Sequence, residues 1–342
     1  MPSAEPIILA RGLPAFASRF WAGELRGPGR LLGLLLKPVE VCFAAGVALR
    51  SSAYDRGLLR SHTAPIPVVS VGNLTVGGEG KTPFAAFLVD ELLHRHARPV
   101  VLHGGHAPDE PVLHRHWHPE IGVYAGKDRL AAADRAFRDG AQIAILDDGF
   151  QHRRIRRDLD IVLVATERWQ ERPRLLPNGP WREPVAALRR ADLVVVTRRI
   201  APTERAEAVA VRVARVTPQT PIVVAAIFSA GWRVGALAVR PPEGPALAVA
   251  AIAMPEVFAA SAREAGADVE RVMAFRDHHD YSAADVARIL REGRGRAIVT
   301  TEKDAVKLAA LAGEARLWVL TQSVRIESGA DERRSALDRV LP

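Results

Sequence analysis

The stretch VVSVGNLTVGGEGKT, residues 68–82, decides the fold, because an apolar run leads directly into a glycine-rich loop that ends in Gly-Lys-Thr. Gly77, Gly78 and Gly80 allow positive φ angles, so successive backbone N–H groups can face phosphate oxygens. A helix that begins after the loop would direct its positive end toward the same anion. The segment therefore predicts a strand, a phosphate-binding loop (P-loop) and a helix.

The residues of this loop have separate predicted roles. Lys81 would reach the β- and γ-phosphates of a nucleotide, and the Thr82 hydroxyl would bind Mg²⁺. The chain has only five lysines among its 47 basic residues, so a lysine here indicates a need for a compact ammonium group. Thr75 stands where the usual pattern has its first glycine. The predicted nucleotide-binding residues are Thr75, Val76, Gly77, Gly78, Glu79, Gly80, Lys81 and Thr82.

Composition limits the class of protein. With 342 residues, 48% of them hydrophobic and 25% charged, the chain is globular and long enough for two α/β lobes. Cys42 is the only cysteine, which excludes an internal disulfide and favours a reducing, cytoplasmic compartment. The net charge of +8 favours an acidic partner such as anionic lipid, nucleotide or nucleic acid. Only 6% of the residues are aromatic, which argues against nucleic acid.

Strand and helix patterns alternate after residue 65. Buried strands are predicted at 66–71, 99–103, 121–124, 142–146, 160–165 and 192–197, with helices between most of them. A second βα series begins near residue 246. This order is typical of an α/β fold with a mostly parallel sheet covered on both faces. We predict a P-loop lobe at 65–215, a β-rich linker at 216–245 and a smaller lobe at 246–342.

The most apolar stretch is LLGLLLKPVEVCFAAGVAL, residues 31–49, within an N-terminal segment that we assign to residues 1–64. Lys37, Pro38 and Glu40 interrupt it, so it falls short of the ~20 uninterrupted apolar residues of a spanning helix. The arginines around it favour a helix that lies in a membrane interface. A hydrophobic core helix remains the alternative.

Carboxylates follow two of the predicted strands. Asp147 and Asp148 come directly after strand 142–146, where an acidic residue can help to hold Mg²⁺ opposite the P-loop threonine. An Asp-Gly turn is the structural alternative. Asp109 follows strand 99–103 after a short loop and could accept a proton from an attacking hydroxyl, although the local sequence alone favours an ordinary loop acid.

Histidines concentrate in two places. Seven of the 11 lie between positions 94 and 118, where zinc is one interpretation and a solvated or anion-facing surface is the other. His278 and His279 lie between two aspartates in the second βα series. Because no third ligand has suitable spacing there, an acid–base or orienting role is favoured over a metal site.

Six motifs in order make the chain resemble the tetraacyldisaccharide 4'-kinase family of lipid A biosynthesis. Thr75 in place of the first glycine is also typical of that family. LDDGFQHRR beside the glycine-rich loop is the most specific of the six. They are VGNLTVGGEGKTP (71–83), DEP (109–111), LDDGFQHRR (146–154), LPNGPWREP (176–184), DHHDY (277–281) and TEKDAVKL (301–308).

The resemblance implies a P-loop lobe and a Rossmann-like lobe, with an N-terminal membrane-associating helix at the cytoplasmic face of the inner membrane. It implies transfer of the γ-phosphate of ATP, with Mg²⁺, to the 4'-hydroxyl of an acylated glucosamine disaccharide 1-phosphate. No obligatory protein partner is implied. By position, Asp109 is the catalytic carboxylate and His278 its partner. The implied acidic positions around Mg²⁺ are Asp147, Asp148 and Glu183.

Two departures from the family pattern keep other functions open. The loop in LHGGHAPDEP, residues 102–111, is short and lacks the family's Ser-Arg-Gly-Tyr run, and the second lobe starts with AIAMP, residues 251–255. A low-activity paralogue is therefore one alternative. A nucleotide-dependent metallochaperone or GTPase-like switch is another, but ADLVVVTRR, residues 191–199, has no guanine-selecting Asn-Lys-x-Asp run.

Overall fold

The computed structural model describes residues 6–8, 13–21, 23–105, 109–309, 311, 313 and 316–341. Its strands are β1 Pro6–Ile8, β2 Val68–Asn73, β3 Pro99–His103, β4 Gly122–Ala125, β5 Ile143–Asp147, β6 Leu159–Ala165, β7 Leu193–Arg198, β8 Ile222–Val234, β9 Leu237–Val239, β10 Pro245–Ala250, β11 Asp268–Ala274, β12 Ala297–Thr301 and β13 Leu317–Ser328. Its α-helices are α1 Leu13–Trp21, α2 Arg26–Asp55, α3 Lys81–His94, α4 Asp109–Trp117, α5 Arg129–Arg138, α6 Thr203–Val216, α7 Pro255–Glu264, α8 Ala283–Glu292, α9 Glu302–Leu308 and α10 Ala330–Asp338.

The chain divides into two compact units, and neither is a continuous piece of sequence. The larger unit comprises Ala17–His106, His114–Ala226 and Arg325–Pro342. The smaller unit comprises Met1–Phe16, Ala107–Leu113 and Ile227–Val324. Three of the differences from the predicted lobes concern the P-loop lobe, the second βα series and the linker. The last 18 residues group with the P-loop strands, the Asp109 segment groups with the second βα series, and the first half of β8 lies in the larger unit rather than in a linker.

The larger unit has a parallel sheet in the order β8-β7-β6-β2-β5-β3-β4. All six strands predicted for this part of the chain are present. Every residue of β2, β3, β5 and β6 is buried, as expected for strands covered on both faces. Parallel strands present their carboxyl ends at one edge of a sheet. The loop after β2 and Asp147 of β5 therefore meet at the same edge, where Val71 pairs with Asp147.

The smaller unit has parallel strands in the order β1-β11-β10-β12-β13. The second βα series that the sequence predicts from residue 246 is present. A capping box begins α8, in which Ser282 and Asp285 exchange hydrogen bonds. Strand β1, far away in sequence, adds to the edge of this sheet by pairing with β11.

Helix α2 is continuous over 30 residues and includes Pro38. Its segment Gly29–Asp55 is long enough and apolar enough to cross a membrane, judged by length and composition. Only 11% of the most apolar part of this segment is buried, whereas a core helix would be mostly buried, so the core-helix alternative is wrong. The exposed apolar residues of α2 are Leu31, Leu34, Leu35, Val39, Val41 and Leu49.

Candidate functional site

The P-loop has the backbone geometry that its glycines predict. Gly77, Gly78 and Gly80 take φ angles of 69°, 77° and 89°, in the left-handed region that favours glycine. Helix α3 begins directly afterwards, at Lys81. The first N–H groups of that helix have no partner within the helix, so this end can bind an anion.

Thr75 has a specific role in this loop that a glycine could not fill. Its hydroxyl donates to Oε1 of Glu79, whose other carboxylate oxygen accepts from the backbone N–H of Ala165. The backbone oxygen of Glu79 also accepts from Oγ1 of Thr197, at 3.0 Å. Burial raises the pKa of Glu79, against the lowering effect of Arg168 and these hydrogen bonds. The loop is thus fixed to the ends of β6 and β7.

Lys81 is held by oxygen atoms on both sides. Its Nζ donates to Oδ1 of Asn73 at 3.2 Å and lies 3.6 Å from Oδ1 of Asp148. The Arg182 guanidinium donates to both oxygens of Asp148, at 3.2 and 3.0 Å. Burial alone would raise the pKa of Asp148, but Lys81, Arg182 and Arg129 outweigh it and hold that pKa well below its usual range.

The predicted metal-binding carboxylates have different surroundings. Asp147 is fully buried, and its Oδ2 lies 3.0 Å from Nε2 of His114, while its Oδ1 has no hydrogen-bond partner among the residues that the structure describes. Glu183 accepts from Gln151 at 3.0 Å and lies 2.9 Å from Arg190. Across the described part of the chain, no three His, Cys, Asp or Glu side chains form a group that could hold a metal ion. The metal roles of Thr82, Asp147, Asp148 and Glu183 therefore stay a prediction.

Three residues at the carboxyl edge of this sheet were not predicted as site residues: Asn73, Arg129 and Arg182. Asn73, the last residue of β2, accepts from Lys81 and Arg182, and its backbone oxygen accepts from Gln151. The buried Arg129 donates to the backbone oxygen of Asp148 at 3.1 Å. In a chain with so many arginines, nothing in the local sequence distinguishes Arg129 and Arg182 from surface residues.

The smaller unit contains a second polar cluster. Nδ1 of His278 lies 2.9 Å from Oδ1 of Asp109, at the first turn of α4. Nζ of Lys303 lies 3.1 Å from the other ring nitrogen of His278. Asp109 is 1% exposed and His278 34%, so the carboxylate is buried and the imidazole reaches solvent. The predicted catalytic pair is thus in contact, although its catalytic role stays a prediction.

Cations surround the Asp109 carboxylate. Its Oδ2 lies 3.3 Å from Nζ of Lys307 and 3.8 Å from Nζ of Lys303, and within the described part of the chain it accepts no hydrogen bond. Burial alone would raise the pKa of Asp109. The hydrogen bond with His278 and the positive charges of Lys303 and Lys307 outweigh that effect and hold the pKa well below its usual range. Sequence analysis missed both lysines, although they are two of only five in the chain.

His279 is oriented differently from His278. Its Nε2 lies 3.1 Å from Oδ2 of Asp285, and its ring stacks on Phe275 with centroids 4.9 Å apart. The backbone of His278 takes a φ of 56°, which is unusual for a residue with a side chain. The AIAMP segment supports this region, because the backbone oxygen of Ala251 accepts from the N–H of His278.

The histidines between positions 94 and 118 do not form a cluster in the part of the chain that is described. His118 bonds to the Asp90 side chain and His94 to the Asp90 backbone oxygen. His103 accepts from the N–H of Gly105, and His114 contacts Asp147. No zinc ligand set results among these described residues.

Comparison with known proteins identifies the family of this chain. The sequence profile of the LpxK family, tetraacyldisaccharide-1-P 4'-kinase, matches residues 32–108 and 103–342. The chain belongs to the LpxK family. A tetraacyldisaccharide 4'-kinase of Anaeromyxobacter dehalogenans is 38% identical, over 94% of each chain. One from Halorhodospira halophila is 37% identical, over 86% of this chain and 89% of that protein.

A solved LpxK structure confirms the predicted fold class. It is the "apo" form of the Aquifex aeolicus LpxK in complex with ATP. It is similar to this LpxK-family chain with a TM-score of 0.71 and 28% sequence identity, over 91% of this chain and all of that one. The α/β architecture with a mostly parallel sheet is therefore shared.

Proposed function

We propose that this LpxK-family protein transfers the γ-phosphate of ATP to the 4'-hydroxyl of a tetraacyldisaccharide 1-phosphate. The observation that carries the proposal is the contact between Asp109 and His278, with Oδ2 of Asp109 buried and without a hydrogen-bond donor among the described residues. A kinase for a sugar hydroxyl needs a group that accepts the hydroxyl proton. A nucleotide switch, which transfers phosphate only to water, needs no such residue for an alcohol.

A nucleotide would bind to the P-loop in the conformation described above. The N–H groups of residues 76–82 and the positive end of α3 bind the phosphates, and Lys81 neutralises them. Because Nζ of Lys81 already lies 3.6 Å from Asp148, a bound phosphate competes with that carboxylate for the ammonium group. ATP as the nucleotide agrees with the ATP complex of the Aquifex aeolicus relative.

The carboxyl edge of the sheet fits a magnesium ion. Asp147 presents a buried oxygen, Oδ1, which has no hydrogen-bond partner in the described part of the chain, and a carboxylate oxygen is a ligand that Mg²⁺ prefers. Thr82 and Asp147 would hold the ion, with Asp148 and Glu183 as further acidic groups. Bound there, Mg²⁺ would neutralise charge on the transferring phosphate. His114 keeps the other oxygen of Asp147 engaged, which leaves Oδ1 available.

The acceptor hydroxyl would approach Oδ2 of Asp109. Deprotonation by this carboxylate frees the oxygen to attack the γ-phosphorus. The hydrogen bond with His278 and the ammonium groups of Lys303 and Lys307 lower the pKa of this carboxyl group, so it is ionised and its oxygen is free to accept a proton. They also weaken it as a base, which is compatible with a loose phosphoryl-transfer transition state in which the proton moves late.

We further propose that the protein is peripheral to the cytoplasmic face of the inner membrane, where α2 contacts the lipid. Its exposed leucines offer an apolar face, and a lipid-borne acceptor requires the enzyme to work at a membrane surface. A metallochaperone would need a group of histidines that binds a metal ion. Among the described residues His114 and His118 instead contact separate aspartates, so this alternative has no structural support.

A radiolabel assay tests the proposed function. [γ-³²P]ATP is incubated in mixed micelles with the tetraacyldisaccharide 1-phosphate, and lipid products are separated by thin-layer chromatography. We expect a labelled lipid only when protein and acceptor are both present. Release of labelled phosphate that does not depend on the acceptor would support the switch instead. Turnover at trace levels with intact ATP binding would support the low-activity paralogue.

A further inference from the structure

A buried imidazole lies beside the carboxyl edge of the larger unit's sheet. It belongs to His114, in the last turn of α4, and the side chains of His114 and Asp147 are both completely shielded from solvent. Nε2 of His114 lies 3.0 Å from Oδ2 of Asp147. His114 is one of the seven histidines between positions 94 and 118, and no zinc ligand set among the described residues accounts for it.

The direction of this hydrogen bond follows from the chemistry of the two groups. An ionised carboxylate has no hydrogen to donate, so Nε2 of His114 carries the hydrogen and Oδ2 of Asp147 accepts it. Of the described residues, only His114 donates a hydrogen bond to this carboxylate. Arg129 interacts with Asp147 through its charge, but it donates to the backbone oxygen of Asp148 instead.

The imidazole can orient the carboxylate because its own orientation is restrained. The ring of Trp117, one turn further along α4, lies edge-on to it, with ring centres 5.9 Å apart and an angle of 85° between the two planes. A hydrogen bond from this fixed ring to Oδ2 of Asp147 restrains rotation of the carboxylate. The other oxygen, Oδ1, therefore keeps a single direction.

We propose that His114 is a positioning residue that directs Oδ1 of Asp147 toward a bound divalent cation. This inference rests on the proposed function, because the cation is the Mg²⁺ that accompanies the nucleotide. Oδ1 is buried and accepts no hydrogen bond from the described residues, so its lone pairs are available to the ion. Hydrogen-bond partners of metal ligands typically contribute ~10- to 100-fold to metal affinity. His114 acts through Asp147 and touches neither the ion nor the phosphates.

Two substitutions separate the hydrogen-bond donor from the bulk of the side chain. His114→Leu fills a similar volume without a donor, whereas His114→Gln places an amide N–H near the position of Nε2. His118→Leu is the matched control. It also removes a buried imidazole that contacts an aspartate, with Nε2 of His118 2.9 Å from Oδ1 of Asp90, but Asp90 belongs to α3 and is not a predicted metal ligand.

The test measures the contribution of Mg²⁺ to nucleotide binding. Calorimetry gives the dissociation constant of AMP-PNP, an ATP analogue that is not hydrolysed, once in EDTA and once in MgCl₂. We expect His114→Leu to lower the ratio of the two constants about tenfold. The constant in EDTA should not change, because the loop amides and Lys81 still hold the phosphates. His114→Gln should keep most of the wild-type ratio, and His118→Leu should keep all of it.

Two further measurements distinguish positioning from a general effect on packing. In the radiolabel assay, His114→Leu should raise the half-saturating concentration of MgCl₂ about tenfold, with kcat at saturating MgCl₂ near the wild-type value. In an Asp147→Asn background, His114→Leu should lower the AMP-PNP ratio no further, because the two residues act as one unit. A full additional loss in that background would overturn the inference.

The conservative variants decide whether the hydrogen bond matters. Equal losses of the ratio in His114→Leu and His114→Gln would overturn the inference, and so would the same loss in His118→Leu. Thermal denaturation shows whether His114→Leu folds. If it does not, His114→Asn takes its place, because its shorter amide occupies the position of Nδ1 and does not reach Oδ2. Equal ratios for His114→Asn and His114→Gln would then contradict the role of the donor.

Failure of the proposed function gives a different result. If no labelled lipid forms, transfer to the acceptor fails, but the AMP-PNP measurements need no acceptor and still decide the role of His114. A wild type that binds AMP-PNP equally well in EDTA and in MgCl₂ would overturn the inference, whatever the lipid assay shows.

Discussion

Nδ1 of His278 lies 2.9 Å from Oδ1 of Asp109, and the opposite ring nitrogen lies 3.1 Å from Nζ of Lys303. Lys303 has a raised pKa, because nearby carboxylates outweigh the effect of burial, so it is an ammonium ion that can only donate. Nε2 of His278 must therefore accept, and its ring proton resides on Nδ1. This tautomer donates to Asp109 and leaves Oδ2 of that carboxylate for a substrate.

Replacing either member of this pair should slow phosphoryl transfer. Because proton transfer by a positioned group contributes ~10²- to 10⁴-fold, Asp109→Ala should lower kcat by about that factor, with little change in the KM for ATP. His278→Ala should lower kcat in the same direction. If the two act as a unit, the double variant will lose little beyond Asp109→Ala. Losses that multiply, or an inactive His279→Ala beside an active His278→Ala, would contradict this role.

Removal of Lys303 should shift the pH profile. The pKa of Asp109 is depressed, so the base is lost only as pH falls through that low value. Lys303→Met removes one of the cations that depress it, and the acidic limb of kcat/KM should move to higher pH by about one unit or more. Lys303→Arg should keep the limb near its original place. Lys127→Met, at an exposed lysine, is the control. An unshifted limb in Lys303→Met would exclude this electrostatic role.

Lys81→Ala should abolish phosphoryl transfer and leave the fold intact. The ammonium group is the positive charge of the loop that would neutralise the transferring phosphate. Asp148 keeps its two hydrogen bonds from Arg182 in this variant, so no buried carboxylate is left unpaired. The radiolabel assay gives the activity, and thermal denaturation gives the stability. Turnover near the wild-type level would refute the P-loop assignment.

Asp147→Asn should weaken the response to Mg²⁺ more than the binding of nucleotide. The loop amides and Lys81 still hold the phosphates, whereas the oxygen available to the ion loses its charge. A titration of activity with MgCl₂ should show a higher half-saturating concentration, while ATP affinity measured without Mg²⁺ should be unchanged. Glu183→Gln is a useful comparison, since Arg190 already neutralises that carboxylate. A larger effect at Glu183 would move the metal site there.

Polar replacements on α2 should release the protein from membranes. Leu31, Leu34 and Leu35 are 61%, 72% and 67% exposed, so changing all three to glutamine removes apolar surface without opening the core. We expect much less protein to co-sediment with anionic vesicles, with the fold retained. Exposed Leu237, outside α2, gives the control variant Leu237→Gln. Unchanged sedimentation of the triple variant would exclude α2 as the membrane contact.

The sequence predicted the strands well because they are buried on both faces and therefore read as uninterrupted apolar runs. It predicted the P-loop because the positive φ angles of that loop strongly favour glycine, so the loop is visible in the sequence as a glycine-rich run. It could not predict which unit each segment joins. Asp109 lies in sequence between P-loop strands and yet groups with the second βα series. That grouping depends on contacts with residues more than 160 positions away, which no local pattern records.

Local sequence motifs could not identify the arginines that support the site, although they could have identified the two lysines. Arg129 and Arg182 look like any other arginine in a chain that has 42 of them, 47 basic residues less five lysines. Lys303 and Lys307 do not, because lysine is scarce here. The argument that a rare lysine indicates a functional role was applied to Lys81 alone. Applied to Lys303 and Lys307, it would have predicted both as site residues.

The division of the chain into discontinuous units has a consequence for its synthesis. The larger unit includes the last residues of the sequence, and Arg333 of α10 forms an ion pair with Glu91 of α3. Glu91 and Arg333 are 242 positions apart, so α3 can form this ion pair only after α10 has been synthesised. A stop codon before α10 would remove this contact from the helix that follows the P-loop, and we expect it to destabilise the nucleotide-binding unit.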